Sequence, residues 1–564
     1  MTRGAEGGEA PSRSLNIAPT VWLPLAAVAV ALIFVGKPPV IDEESYLWLG
    51  AHLTPGRPYD WSRIWPPYGG DGFVYAHPPL HLWWMWAVSL LGAGSLPLLR
   101  IVGGLPWVVL LAWSTARLAT RTVHRPGLAA GLWLSSATVV LGLTDTLMID
   151  LPAAALGAAT LACYREGLAR LSPPGHGTPR TPQAPGGPEA ASRWFLAAGV
   201  ALGLGAATKY PVLLLVPVLL VHMARHGWRI GVWWPFVLIF GGLEAGIALV
   251  YGKVHLWEVW SRRGEIGHGP VDGRLLGTLA RMALLPLPLA LFRAEPRTVG
   301  VALLGSAGLY AWAHPAGLPA GELAVLFVCV AIGAVGLGRA LRGCLPRSRR
   351  RRGDRGDALL LGGVVLAWVS GVVAFHNYAA ARYLLPAAAP LALLIVRSAE
   401  EVPGGKALVR ASIAVGGALA LGLAIADLRY AQAGVEVAQE AMAVVRRLAE
   451  ERGALPGTSR FAAEWTVRGA LESAGWQRYR PDEVLPVGTF VVMATNASPG
   501  PVDLGRLEVL SLVESDDRFP LRVNDSRAHA SMYAETIGAL PCTWASTPLE
   551  SATVYVVVAS GTPR

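Results

Sequence analysis

The chain has 564 residues, 53% of them hydrophobic and 15% charged, with 21 tryptophans. That composition excludes an ordinary soluble enzyme, because the apolar residues gather in segments of roughly 15–22 residues, the length that crosses a bilayer. The formal net charge of +10 would suit nucleic acid in a soluble domain. Here, however, much of the arginine lies in short clusters between apolar segments, Arg347 and Arg349–Arg352 being the densest, where it reports membrane orientation.

A tail of residues 1–16 carries Arg3 and Arg13 and leads into an apolar stretch from about Ile17 to Gly36, closed by Lys37-Pro38-Pro39. No small-x-small cleavage site precedes Lys37, and the apolar core is longer than that of a signal peptide. The stretch therefore reads as an uncleaved first span with a cytoplasmic N-terminus. Further apolar segments lie near residues 79–94, 97–118, 127–143, 147–164, 194–207, 208–222, 231–250, 275–291, 299–313, 321–341, 358–375, 383–396 and 408–426, about fourteen candidates with the first.

Basic clusters test their parity. Arg117/Arg121/Arg125, the Pro/Gly-rich linker 165–193, Arg225/Arg229, Arg293/Arg297, residues 342–355 and Arg397/Lys406/Arg410 share the cytoplasmic side only if one early segment does not cross. His81 to Gly92 is short, follows Pro78-Pro79 and carries Trp83, Trp84 and Trp86, the aromatic load of a helix lying at the interface. Removing it leaves about thirteen crossings. The loop 37–97, the turn 144–150, Lys209, the loop 251–274, residues 376–382 and everything after Asp427 then share the outer face.

After Asp427 the composition changes. Residues 429–452 read as an amphipathic helix, and strand-like runs follow at Thr489–Ala494, Leu507–Val513 and Thr553–Ala559, separated by Gly, Pro and Asn turns. Residues 427–564 are expected to form a small α/β extracytoplasmic domain. The expected fold is thus mainly α, a polytopic helical membrane protein with a transmembrane domain over residues 17–426 and that domain behind it. Cys163, Cys329 and Cys344 fall in or beside spans and only Cys542 lies in the tail, so no intramolecular disulfide is expected.

The chemistry-bearing residues stand at span ends. Asp42 and Glu43 follow the first span, and Tyr75-Ala76-His77-Pro78-Pro79-Leu80 follows one loop later. Carboxylates held against a bilayer lose hydration, and retaining two at a span exit suits work on a substrate at the membrane surface. Lys209 sits in an otherwise apolar stretch, where an unpaired lysine at mid-membrane would cost roughly 2.5–3.5 kcal/mol; snorkelling to the surface is the alternative reading.

Asp42-Glu43, His77-Pro78-Pro79-Leu80, Asp150-Leu151-Pro152, Gly205-Ala206-Ala207-Thr208-Lys209 and Arg382-Tyr383-Leu384-Leu385-Pro386 resemble, in that order, motifs of the GT-C membrane glycosyltransferases, in particular bacterial relatives of the protein O-mannosyltransferases and the lipid A aminoarabinose transferase. The resemblance spans roughly residues 17–426. It implies a polyprenyl-phosphate-linked sugar as donor and inverting transfer to an acceptor hydroxyl on a lipid, polysaccharide or protein. It also implies a seven-span catalytic module in the cytoplasmic (inner) membrane with juxtamembrane helices in the first loop.

Such a transfer needs a base on the acceptor hydroxyl and cations on the departing phosphate. Asp42 matches the family's catalytic aspartate and is the expected base, with Glu43 orienting it or the acceptor. Lys209 and Arg382 are the expected phosphate ligands, the planar fork of Arg382 suiting phosphate oxygens. Arg262 and Arg263 are weaker candidates for the same task. Tyr75, His77, Asp150 and Tyr383 are expected around donor and acceptor, Asp150 at the family's second acidic position, with Asp145 a lesser match.

No cofactor is required by this scheme. A divalent metal is admitted through His77, His81, Glu265 and His268, since imidazole and carboxylate are competent ligands. Their spacing is not diagnostic, and the aminoarabinose-transferase branch has an acidic residue before its Pro-Pro pair where this chain has Ala76 and His77. Metal-independent transfer, as in the mannosyltransferase branch, is the expectation. Two other classes compete: a transporter or flippase of lipid-linked sugars, which would carry paired repeats and charges deep in several spans, and a membrane-anchored assembly protein whose working part is the tail, where Glu464-Trp465 and Arg468 hint at a surface patch.

Overall fold

In a computed structural model, the structure describes residues 18–40, 42–53, 77–92, 94–171, 187–261, 270–285, 300, 304–308, 318–342, 344, 352–376, 378–452, 459–480, 483–497, 502 and 504–558. Helices α1 (Pro19–Ile33), α2 (Glu43–His52), α3 (Leu80–Gly92), α4 (Leu96–Thr122), α5 (Pro126–Leu134), α6 (Ala137–Thr144), α7 (Asp150–Leu171) and α8 (Gly187–Thr208) come first. They are followed by α9 (Leu215–His226), α10 (Ile230–Phe236), α11 (Gly242–Tyr251), α12 (His255–Ser261), α13 (Val271–Met282), α14 (Ala320–Arg342), α15 (Arg352–Phe375), α16 (Leu385–Glu400) and α17 (Gly405–Glu451).

Seven helices among the described residues are long and apolar enough to cross a membrane, or eight if the bent pair α5 and α6 is one span. The chain is a multi-pass membrane protein. The expected number of about thirteen is not reached by these helices alone; α1, α3 and the stretch Tyr210–His226 are shorter apolar helices, and part of segments 275–291 and 299–313 lies outside the described residues. Within 275–291 the described helix, α13, is twelve residues long, too short to span. Its Arg274 and Arg281 are buried, and both donate to protein carbonyls rather than facing lipid.

Local sequence explains the breaks. Ser95 accepts the Leu98 N–H and opens α4, while Gly227 (φ +97°) ends α9 in a conformation that favours glycine. The segment 230–251 is a single span with a π turn at Val237–Gly241 joining α10 to α11. Segments 194–207 and 208–222 are separate elements because α8 stops at Thr208 and Lys209 is extended (φ −151°) before a 3-10 turn containing Pro211; proline cannot donate the helical N–H. Helix α3 packs beside α2 and α4, with Trp84 Nε1 donating to the Gly103 carbonyl at 2.9 Å, a placement that suits a juxtamembrane helix.

The last span and the expected amphipathic helix form one continuous helix, α17, of 47 residues, about 70 Å long and so more than twice the hydrocarbon thickness. Its first half exposes Val415, Leu419 and Leu421. Its second half buries Tyr430, Val437, Ala438, Ala441 and Val445 at helical spacing beneath the C-terminal domain. That domain comprises β1 (Arg460–Ala462), α18 (Trp465–Ser473), β2 (Gln477–Arg478), β3 (Phe490–Ala494), β4 (Leu507–Glu514), β5 (Leu521–Arg522), β6 (Asn524–Asp525), β7 (Ala530–Ser531), β8 (Thr543–Trp544) and β9 (Ser551–Val557).

The main sheet has the order β2-β1-β3-β9-β4, with β1 parallel to β2 and β3, and β9 antiparallel to β3 and β4. Alternation sends Phe490, Val492 and Val554 into the same core as α17, and Val491, Tyr555 and Val557 into a second core with Leu485. The first of these cores also holds Tyr46, Leu82, Met85 and Leu147, so the first loop, the span ends and the domain share one apolar interior. The four cysteines are free thiols.

Candidate active site

Four chain segments meet at one end of the helical bundle. Asp42 immediately precedes α2, Asp150 is the first residue of α7, Lys209 stands at the break after α8, and Arg382 lies on a 3-10 turn, Ala381–Leu384, before α16. Lys209 Nζ is 2.6 Å from Asp150 Oδ1, Arg382 Nε is 3.6 Å from Asp150 Oδ2, and Arg382 Nη2 is 3.1 Å from Asp42 Oδ2. Two cations and two carboxylates thus form a chain in the order Lys209, Asp150, Arg382, Asp42. Lys209 is not a lone charge in hydrocarbon: it is buried against its carboxylate, and its ammonium also lies 4.8 Å from the centre of the Tyr383 ring.

Aromatic residues wall the cluster. Arg382 lies 5.1 Å from the Tyr383 ring centre and donates to the hydroxyls of Tyr378 at 3.0 Å and Tyr383 at 3.4 Å. The Tyr383 ring stacks on His376 at 4.0 Å. His77 stands in the field of Lys209, Asp150 and His376; burial, with Lys209 next, holds its imidazole well below the ordinary histidine range, so it is neutral. The Asp42 side chain keeps 35% of its surface exposed, against 8% for Asp150. Of the two acids, only Asp42 is open to an incoming molecule.

Glu43 takes a different place. Its carboxylate accepts from Arg100 Nη2 at 2.7 Å, from the Leu147 N–H at 3.1 Å and from the Val40 N–H at 3.2 Å, and it is fully buried. Arg100 also donates to the Thr144 carbonyl, and His81 Nε2 lies 3.0 Å from the Leu147 carbonyl. Glu43, Arg100 and His81 therefore clamp the turn 144–149 that delivers Asp150. Gly104 allows α4 to approach that turn: a Cβ there would stand 2.4 Å from the Thr146 Cβ. Asp145 points away from the cluster and pairs with the buried Lys37, which also pairs with Asp427 of α17; Asp427 in turn accepts from Tyr533 of the C-terminal domain.

The structure thus brings together Asp42, His77, Asp150, Lys209, Arg382 and Tyr383, and sets Glu43 to a supporting task. Tyr75, Arg262, Arg263, Glu265 and His268 lie outside the described residues. Sequence reasoning missed Tyr378 and His376, whose signal is their closeness to Arg382 within one inter-span turn, and Arg100, whose only signal is a charge inside the apolar segment 97–118. Among the described residues no three His, Cys, Asp or Glu side chains group in a way that could hold a metal ion. The described carboxylates of the cluster, Asp42 and Asp150, are already matched by Arg382 and Lys209.

Residues 95–260 match the family model of the dolichyl-phosphate-mannose-protein mannosyltransferases. This match bears out the resemblance to the GT-C membrane glycosyltransferases, and it covers Asp150 and Lys209. No curated protein matches the chain. Among solved structures, ArnT from Cupriavidus metallidurans in the apo state is similar at 14% identity with a TM-score of 0.40, covering 84% of this chain and 92% of that one. The same protein bound to undecaprenyl phosphate is similar at 13% identity and a TM-score of 0.39, covering 96% and 99%. The Archaeoglobus fulgidus oligosaccharyltransferase, tethered to an acceptor peptide, is similar at 12% identity and a TM-score of 0.41, covering 81% of this chain and 63% of that one.

Proposed function

We propose that this chain is an inverting glycosyltransferase that moves a sugar from a polyprenyl-phosphate donor to an acceptor hydroxyl at the outer face of the cytoplasmic membrane. The observation that carries the reading is the partly exposed Asp42 carboxylate held 3.1 Å from Arg382, with Lys209 beyond it on Asp150. A base open to solvent beside two buried cations is the arrangement that alcohol attack on a phosphate-bound sugar requires. The family match adds a lipid-phosphate sugar as the expected donor class.

In this scheme the donor phosphate sits on Lys209 and Arg382, whose Nη1 has no hydrogen-bond partner among the described residues. Asp42 accepts the acceptor's hydroxyl proton as that oxygen bonds to the anomeric carbon. The bond from the anomeric carbon to the phosphate oxygen breaks, and its electron pair leaves on the polyprenyl phosphate, whose added negative charge the two cations stabilise. Displacement from the opposite face inverts the anomeric centre. Asp150 keeps both cations in place when no donor is bound, and Tyr378 and Tyr383 orient the guanidinium.

The test is transfer from a panel of radiolabelled polyprenyl-phosphate hexoses and pentoses, using purified protein in lipid with an envelope extract as acceptor. Label moving from one donor class to extract material, with inverted configuration, supports the reading. A protein that binds such donors and moves them across vesicles without cleaving the sugar would be a transporter instead.

A further inference from the structure

The turn that carries Arg382 is gripped from outside the reacting cluster. Ala381 donates its N–H to the Met532 carbonyl at 2.9 Å, and Glu535 donates its N–H to the Ala379 carbonyl at 3.1 Å. The Glu535 carboxylate accepts the Ala379 N–H. On the other side, Arg274 of α13 donates to the His376 carbonyl. The same helix shapes the C-terminal segment, since the buried Arg281 donates to the carbonyls of Ser531 and, at 3.0 Å, Gly538. Gly277 lets the three pieces close, for a Cβ there would stand 2.8 Å from the Glu535 Cβ and 3.2 Å from the Ala379 Cβ.

We propose that residues 531–538 of the C-terminal domain are a positioning element of the active site, with Glu535 the positioning residue that sets Arg382 for the donor phosphate. Ala379 is three residues from Arg382 on a short turn, so a displacement at one is passed to the other. The segment has little regular structure of its own beyond Ser531 at the end of β7, and the main sheet does not use Glu535. Its carboxylate is spent on a backbone amide of another segment, which burial alone would not require. The C-terminal domain thereby acts on the transfer through Arg382 rather than through a reacting group. This inference rests on the phosphate role given to Arg382 above.

The experiment compares full-length wild type, Arg382→Ala, Glu535→Ala, Glu535→Gln and Gly277→Ala in lipid. It measures undecaprenyl phosphate affinity, donor KM against kcat, and hydrogen exchange in peptides spanning 376–382. Glu535→Ala is expected to weaken undecaprenyl phosphate binding and raise donor KM about tenfold, since a misplacement near 1 Å costs that much or more, with faster exchange confined to that turn. Glu535→Gln, whose amide oxygen still accepts, should stay within about threefold of wild type. Gly277→Ala, which forces Glu535 away from Ala379, should behave as Glu535→Ala and stands in for it if that variant does not fold. A turn that exchanges faster while affinity and KM stay at the wild-type values overturns the proposal, as does a loss in kcat alone. Binding that Arg382→Ala loses and Glu535→Ala keeps refutes this inference alone; binding that Arg382→Ala keeps refutes the phosphate role and the inference with it.

Discussion

Arg382 meets Asp42 across 340 residues of chain, Nη2 to Oδ2 at 3.1 Å. The pairing ties the expected base to an expected phosphate ligand, so the two cannot act independently. A donor phosphate arriving at Arg382 competes with Asp42 for the guanidinium and leaves the carboxylate available to the acceptor. Donor binding is therefore expected to precede acceptor binding, and initial-rate and product-inhibition patterns should be those of an ordered mechanism. Random addition would contradict the coupling.

Arg382→Lys keeps the charge and loses the fork that reaches Asp42, Asp150 and the two tyrosine hydroxyls at once. Donor KM should rise by about tenfold or more, consistent with losing a charge-assisted contact of about 1.5–3 kcal/mol. Steady-state kinetics at varied donor concentration check this, and an unchanged KM would remove Arg382 from the phosphate site.

Asp42 and Glu43 are adjacent in sequence and separate in role. Glu43→Gln strips the charge from the partner of the buried Arg100, and breaking such a pair costs about 3–5 kcal/mol. Its signature should be a lower unfolding temperature and a looser 144–149 turn, with kcat of the folded fraction lowered through Asp150 but far less than by loss of the Asp42 base. Thermal unfolding alongside active-site titration separates the two effects.

Glu44 gives the fold a pH dependence. Its carboxyl lies against Gly469 of α18, and burial, then Glu472 and Glu43, raise its pKa to about 7, while Arg468 pulls the other way. The folded state holds this proton where the unfolded chain has released it, so stability should fall as pH rises from about 4.5 to about 7 and then level off. Glu44→Gln should remove that slope and be the more stable protein above pH 7. Unfolding temperatures of the two proteins across this range provide the check.

Gly104→Ala places a methyl group 2.4 Å from the Thr146 Cβ. Overpacking of this kind costs about 1–3 kcal/mol. Because the turn leads directly to Asp150, the loss of activity should exceed the loss of folded protein.

Much of the site was legible because span ends constrain it: Asp42, Asp150, Lys209 and Arg382 each stand where an apolar segment begins or ends, and a one-sided topology sends them to the same face. What surrounds them was not legible. Glu43 looks like a second catalytic acid until Arg100, 57 residues away, is seen to take it. Likewise, hydropathy could place a segment near 275–291 but not foresee that Arg274 would hold the His376 carbonyl and Arg281 the C-terminal domain, because those partners are supplied by chain more than a hundred residues away. The three main tail strands were visible from their β-branched runs, whereas β1, β2 and α18 are short and depend on neighbours. Continuity of α17 was hidden by the change from lipid-facing to domain-facing residues along one helix.

The central claim is that Asp42 deprotonates the acceptor. The direct measurement is sugar transfer by Asp42→Asn at saturating donor, with polyprenyl-phosphate binding and unfolding temperature measured on the same preparation. The account predicts folded protein that binds donor and loses kcat by at least about 100-fold, within the range of a general base. Transfer at the wild-type rate by a variant that binds donor normally would contradict it.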